Sequence, residues 1–286
     1  MAPKPKYVSR KFIDLIQGAT SKWANWDPPR EIKVGDYGMI NNETGEFEWE
    51  GNLYTTKNEI NIDMMDPTLK PQEQEGGDNK FIVKTWGITT KEVNVSAEAA
   101  LPGAVNVALK VDFQFEGGKP AAALVMYKPR YIYLPKDERV IKLLKSRPDV
   151  LKGKYIVTEV ITCAAYVMYM SDQKAENFSI TLQASGPVAP AVNAGGAAGF
   201  TWSSVNTCGL YREGSDSTTK YMPLYRLKKP RSKFWWLLGQ RGDDQKEDPI
   251  DKWDDVDPPW DPLDDEGEED EIYDAVRPQV FYKNLT

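Results

Sequence analysis

The chain has 286 residues, of which 41% are hydrophobic and 11% aromatic, enough to fill a core in one large domain or two modest ones. It contains no histidine, so Ser-His-Asp and Cys-His hydrolases and histidine-containing zinc sites are excluded together. The net charge of -7 hides a division: residues 243–286 carry 17 acidic and 4 basic side chains, a balance of -13, while the residues before them carry 32 basic and 26 acidic ones, a balance of +6.

The opening MAPKPKYVSRKF lacks the apolar stretch of a secretory signal, and no run of about 18 apolar residues follows, so the cytosol is the expected address. Val8, Phe12, Leu15, Ile16, Ala19 and Trp23 recur at helical spacing with Lys4, Lys6, Arg10, Lys11 and Lys22 around them. This predicts an amphipathic N-terminal helix with a basic edge. Residues 32–54 read as strands broken by turns, with the reversal at residues 41–45; the acidic and Asn residues there do not have EF-hand spacing, and no metal site is expected. Residues 66–80 are polar, hold two prolines and Gly76-Gly77, and read as a loop.

Residues 93–115 carry the strongest local signal. Val93, Val95, Ala97, Ala99 and Leu101 alternate with more polar residues; after Pro102-Gly103, Val105, Val107, Leu109, Val111, Phe113 and Phe115 do the same. The arms, 9 residues (93–101) and 11 residues (105–115), match the roughly 9–11 residues that a tilted strand needs to cross a bilayer. Residues 137–147, between two prolines, predict a short helix with acids at its start and Lys142, Lys145 and Arg147 toward its end. The apolar run of residues 155–170 predicts one central strand. Phe178, Ile180 and Leu182 alternate with Ser179, Thr181 and Gln183, and lead into a segment of Ala, Gly and Val that ends at Phe200 and Trp202. Residues 221–229 look like a closing strand. Beyond them, Phe234, Trp235, Trp236, Leu237 and Leu238 form an apolar knot, expected to dock on the body with Trp253, Trp260, Tyr273, Phe281 and Tyr282 as further anchors and the surrounding acids laid along basic surface. Cys163 and Cys208 are expected to be free thiols, with a disulfide as the alternative. No P-loop and no GxGxxG follows a strand, so no cofactor is expected, and the acids gather in the tail rather than at strand ends, so no enzyme is expected.

The run LKGKYIVTEVITC, ending at Cys163, resembles the gasdermin strand in which a Tyr-Val-Val-Thr-Glu-Val run follows a basic helix. KDERVIKLLKSRPDV resembles that helix, VSAEAALPGAVNVALKV the family's first membrane-inserting hairpin, and MPLYRLKK the strand that closes its pore-forming domain. The resemblance implies an α+β fold, a twisted and largely antiparallel sheet with flanking short helices, divided into a pore-forming domain at 1–229 and a linker with an acidic inhibitory segment at 230–286. It further implies a resting cytoplasmic protein that acts at the plasma membrane, with acidic phospholipid and further copies of itself as partners and no nucleic acid. Lys4, Lys6, Arg10, Lys11, Phe12, Lys22, Trp23, Lys142, Lys145 and Arg147 would meet lipid. Two hairpins, at residues 93–115 and about 166–202, would enter the membrane as part of a closed barrel, since open strand edges cannot sit in hydrocarbon. The 57 residues after Lys229 are too few for the large helical inhibitory domain of vertebrate gasdermins, and the layout is more similar to fungal and other early-branching members. Activation would come from a protease cutting between residues 234 and 251 or from an allelic partner. The alternative is a non-lytic scaffold whose acidic tail recruits a partner.

Overall fold

The structure, a computed structural model, describes residues 7–55, 62, 66–92, 106–140, 144, 148–172, 175–185, 199–205, 209–216, 220–230 and 253–269. Among these the fold is dominated by antiparallel sheets, with short helices at its margin.

Helix α1 (Val8–Thr20) turns Phe12, Ile13 and Ile16 inward. It ends where Ser21 takes a left-handed conformation, φ 56°, and donates its N–H to the Gln17 carbonyl. Sheet A runs β1 (Trp23–Ala24), β15 (Tyr221–Pro230), β10 (Tyr155–Cys163), β2 (Asp36–Ile40) and β3 (Phe47–Asn52); β9 (Arg130–Tyr133) also pairs with β10, β4 (Gln72–Glu75) with β9, and β16 (Trp253–Asp255) with β15. Sheet B runs β14 (Leu210–Ser215), β11 (Ala165–Met170), β8 (Ala122–Tyr127) and β5 (Lys80–Lys84). Sheet C runs β13 (Gly199–Val205), β12 (Glu176–Ser185), β7 (Asn106–Phe115) and β6 (Ile88–Glu92).

Sheet B is the middle layer. Ala122, Leu124 and Met126 of β8 and Tyr166, Met168 and Met170 of β11 share a core with sheet A and α1. The alternate residues Ala123, Val125, Ala165, Val167 and Tyr169 face a second core, closed from the other side by sheet C. A strand buried on both faces loses its period-two signature and reads as one apolar run.

That explains a correction. The single strand expected over residues 155–170 is two: the chain leaves sheet A at Cys163 and enters sheet B at Ala165, and Ala164 bridges the change by donating its N–H to the Tyr127 carbonyl at 3.1 Å. The loop expected over residues 66–80 contains the edge strand β4, whose Gln72, Glu73, Gln74 and Glu75 are all exposed. Its sequence has no apolar face to reveal it; backbone pairing to β9 and the reach of Arg130 to Glu73 (3.0 Å) and Glu75 (3.2 Å) hold it. Such a charged edge discourages pairing with other chains. In the helix expected over residues 137–147, residues 138–140 and 144 have helical backbone, and Val140 and Leu144, four apart, are buried on one side.

Candidate functional site

Sheet C brings the two candidate membrane segments together. β7 pairs with β6 on one side and β12 on the other, and β12 pairs with β13, so two hairpins form one continuous antiparallel ladder. Its inner face is largely apolar on the two central strands: Leu109, Val111, Phe113 and Phe115 of β7 and Phe178, Ile180 and Leu182 of β12 are buried, with Trp202 of β13 beside them, and Glu176 stands on the same row at the start of β12, opposite Phe115. Val107, nearer the β7 start, is half-buried. Directly paired residues share a face, which places Lys91 with Asp112, Asp112 with Ser179, and Lys110 with Thr181 on the outer, polar side. On β6 the inward row is Ile88, Thr90 and Glu92, and Glu92 is ion-paired with Lys80 of sheet B.

Aromatic contacts dominate the grip between sheets B and C. Tyr169 stacks on Phe178 with centroids 4.0 Å apart, and Phe178 also meets Phe113 at 5.9 Å and Tyr211 at 5.7 Å. Burying each such side chain contributes about 1.5–3 kcal/mol. The first hairpin, expected over 93–115 with its flanks, includes β6 from Ile88, which pairs with Phe115; Thr89, Thr90 and Lys91 hide the strand period there. The start of the second hairpin differs from expectation. The second is β12 with β13, starting at Glu176; Tyr166 and its neighbours belong to sheet B.

The tail segment, residues 253–269, covers α1. β16 pairs Trp253 with Pro230, Asp254 with Lys229 and Asp255 with Lys228, and Trp253, Val256 and Trp260 are buried in the first core. Trp260 stands edge-on to Trp23 at 5.8 Å and donates its Nε1–H to Asp14 Oδ1 at 3.1 Å. Beyond it, Leu263 and Glu269 bridge a tight turn. Arg10 donates from Nε and Nη2 to the Gly267 carbonyl at 3.0 and 2.6 Å and from Nη1 to the Asn42 carbonyl at 2.8 Å. Lys11 Nζ donates to the Leu263 carbonyl at 2.9 Å. Gly267 has φ +87°, and a Cβ there would lie 2.7 Å from the Tyr7 carbonyl oxygen, so the turn can approach α1 only with glycine.

These contacts correct the reading of α1 and the tail. Arg10 and Lys11 are buried rather than arrayed on a solvated basic edge, because the tail lies over them, while Phe12 and Trp23 of the apolar row are buried in the first core. The tail's acids are not what meets the two cations: main-chain carbonyls do most of it, and Glu269 reaches Arg10 only at 3.5 Å. Lys22 is also occupied. Its Nζ lies 2.5 Å from Glu159 Oε1, and Arg226 approaches the other oxygen of the same carboxylate at 3.8 Å. Burial pulls the Lys22 ammonium below the usual lysine range, while the hydrogen bond and charge of Glu159 oppose the shift.

Cys163 is a free, buried thiol, and burial pushes it well above the usual thiol range, so it is not a nucleophile in this state. Lys4, Lys6, Val93, Val95, Leu101, Val105, Lys142, Lys145, Arg147, Cys208, the knot Phe234, Trp235, Trp236, Leu237 and Leu238, and the anchors Tyr273, Phe281 and Tyr282 lie outside the described residues. Among the described residues no group of three or more acidic, Cys or His side chains is placed to hold a metal ion, and no helix is long and apolar enough to cross a membrane.

Sequence reasoning missed Gly267, Asn42 and Leu263 as parts of the tail contact. The last two act through their carbonyls, which carry no side-chain signal; a lone glycine inside DDEGEED was the one visible hint. No protein-family model matches the sequence, and comparison with curated proteins finds no match.

Proposed function

We propose that this chain is an autoinhibited pore-forming protein of the gasdermin type. In the resting form the tail covers α1, and sheet C rests its apolar face on sheet B. When residues 253–269 leave, Arg10, Lys11 and Trp23 become free to meet acidic phospholipid. Copies of the chain then assemble, and the hairpins β6–β7 and β12–β13 extend into a ring-shaped barrel that breaches the membrane.

The observation that carries this reading is the construction of sheet C. Two hairpins already lie side by side in one ladder, apolar on one face of β7 and β12 and polar on the other. A barrel wall needs that division, lipid on one side and water on the other, with every internal backbone group paired. Among the described residues no strand pairs with the outer edge of β6 or of β13, where the next subunit's ladder would continue. Phe and Leu side chains that leave sheet B for acyl chains exchange one apolar surrounding for another, so the transfer does not forfeit their burial.

The test is dye release from vesicles. Protein cut within residues 234–251 and diluted until the tail fragment separates should empty phosphatidylserine-containing vesicles and form ring oligomers, while the uncut chain leaves them sealed. A tail-free body that stays monomeric and leaves the vesicles intact overturns the proposal and favours a scaffold.

A further inference from the structure

Residues 253–269 contain nine carboxylates and no basic side chain. If their purpose were to neutralise α1, they should point at its cations. Of the carboxylates on the turn, Glu269 alone among the described residues meets one, reaching Arg10 at 3.5 Å. The Arg10 guanidinium spends three hydrogen bonds on carbonyl oxygens, and Lys11 finds another carbonyl. Carbonyl dipoles hold a cation without contributing net charge, so the docked turn leaves its acids unspent. Asp264 turns back to accept the N–H groups of Glu266 and Glu268, each at 2.9 Å, which shapes the turn and leaves both glutamate side chains outward. Asp257, Asp265, Glu266 and Glu268 are exposed, with no ion-pair partner among the described residues.

From this we infer a division of labour within the tail, which rests on the membrane reading above. Carbonyls, Gly267 and the two tryptophans hold the segment on α1, and the outward carboxylates screen the docked molecule from anionic bilayers. Docking therefore does more than hide Arg10 and Lys11. It replaces a cationic face with a negative one on the side that would meet lipid, and a charge near an anionic leaflet is worth about 1 kcal/mol. Salt should weaken the screen and leave the docking contacts in place, because exposed charges are screened within a Debye length and short buried contacts are screened far less.

Two full-length variants separate the roles. The first replaces Asp257 and Asp265 by Asn and Glu266 and Glu268 by Gln; the second is Gly267→Val. Amide hydrogen exchange of residues 253–269 reads docking, and co-sedimentation with vesicles of phosphatidylserine and phosphatidylcholine, or of phosphatidylcholine alone, reads the screen. The neutralised variant should keep the native protection of its tail and bind anionic vesicles at least about tenfold better than the native chain at low salt, with no gain on neutral vesicles. Gly267→Val should lose tail protection and bind anionic vesicles while keeping all its carboxylates. If neutralisation undocks the tail, the acids are counter-ions and the screen is refuted; a variant that stays docked with no gain in binding refutes it too. Should Gly267→Val undock and still ignore anionic vesicles, the membrane reading fails, and the screen with it.

Discussion

The two interfaces that hold this molecule in its resting form differ in kind. Sheet C lies on sheet B through a broad aromatic and aliphatic surface, in which Tyr169, Phe178, Phe113 and Phe115 touch one another, with the carboxylate of Glu176 at its margin. The tail lies on β15 and α1 through a few directional contacts: the short β16 ladder, two tryptophans, a glycine that must approach closely, and two cations on carbonyl oxygens. The first kind of contact is non-directional, so any apolar medium can take its place. The second is specific and fails when one member is lost. On the proposed pore-forming reading, the tail is the part to be released and sheet C the part to be transferred.

The largest expected effect lies in the broad interface. Phe178→Ala removes a ring stacked at 4.0 Å on Tyr169 and should cost about 3–5 kcal/mol in denaturant unfolding of the whole chain. A loss below about 1 kcal/mol would show that sheet C is held elsewhere and would remove one side of the comparison. Next comes the tail. Trp260→Ala deletes the edge contact with Trp23 and the bond to Asp14, and should cost about 2–4 kcal/mol of docking, seen as faster amide exchange confined to residues 253–269. Exchange that spreads into sheet C would mean the two interfaces are coupled rather than separable.

The smallest effect sharpens the comparison at the joint between α1 and sheet A. Glu159→Gln leaves Lys22 and Arg226 without their shared carboxylate and should cost about 1–3 kcal/mol near neutral pH. Burial already lowers the folded pKa of Lys22, and Glu159 is what holds it up, so the substitution lowers it further. Between that folded value and the ordinary lysine range the unfolded chain binds more protons than the folded one, so stability rises with pH across the window. The deficit of the variant should therefore shrink as pH rises toward the lysine range. A deficit constant across alkaline pH would locate its source in Arg226 or in packing instead.

What the sequence disclosed depended on whether a contact uses side chains in a periodic row. The alternation from Val107 to Phe115 and from Phe178 to Leu182 marked the two central strands of sheet C, because each has one dry face and one wet face. Trp253 and Trp260 stood out as large apolar residues in an acidic stretch, and both are in the core. The break at Ala164 was hidden because β10 and β11 are buried on both sides and the apolar run passes through it. β4 was hidden for the opposite reason, being polar on both sides. The adjacency of β7 and β12, more than sixty residues apart in the chain, has no local signal at all. Charge was the most misleading guide: acidic tail and basic helix suggested side chains meeting side chains, and the backbone took that place.

The register of β16 fixes where the chain departs and returns. Pro230 ends β15 opposite Trp253, which begins β16, so the two ends of the 22-residue connection between them meet at one place on the sheet. Severing the polypeptide between residues 230 and 253 leaves every described contact of residues 253–269 in place; it turns an intramolecular clasp into a two-piece complex. The grip then becomes a matter of concentration, strong where fragments are crowded and lost where they disperse, since a tether of this length otherwise supplies an effective concentration on the order of millimolar. A scission event would thus arm the molecule, and the surroundings would decide when it fires.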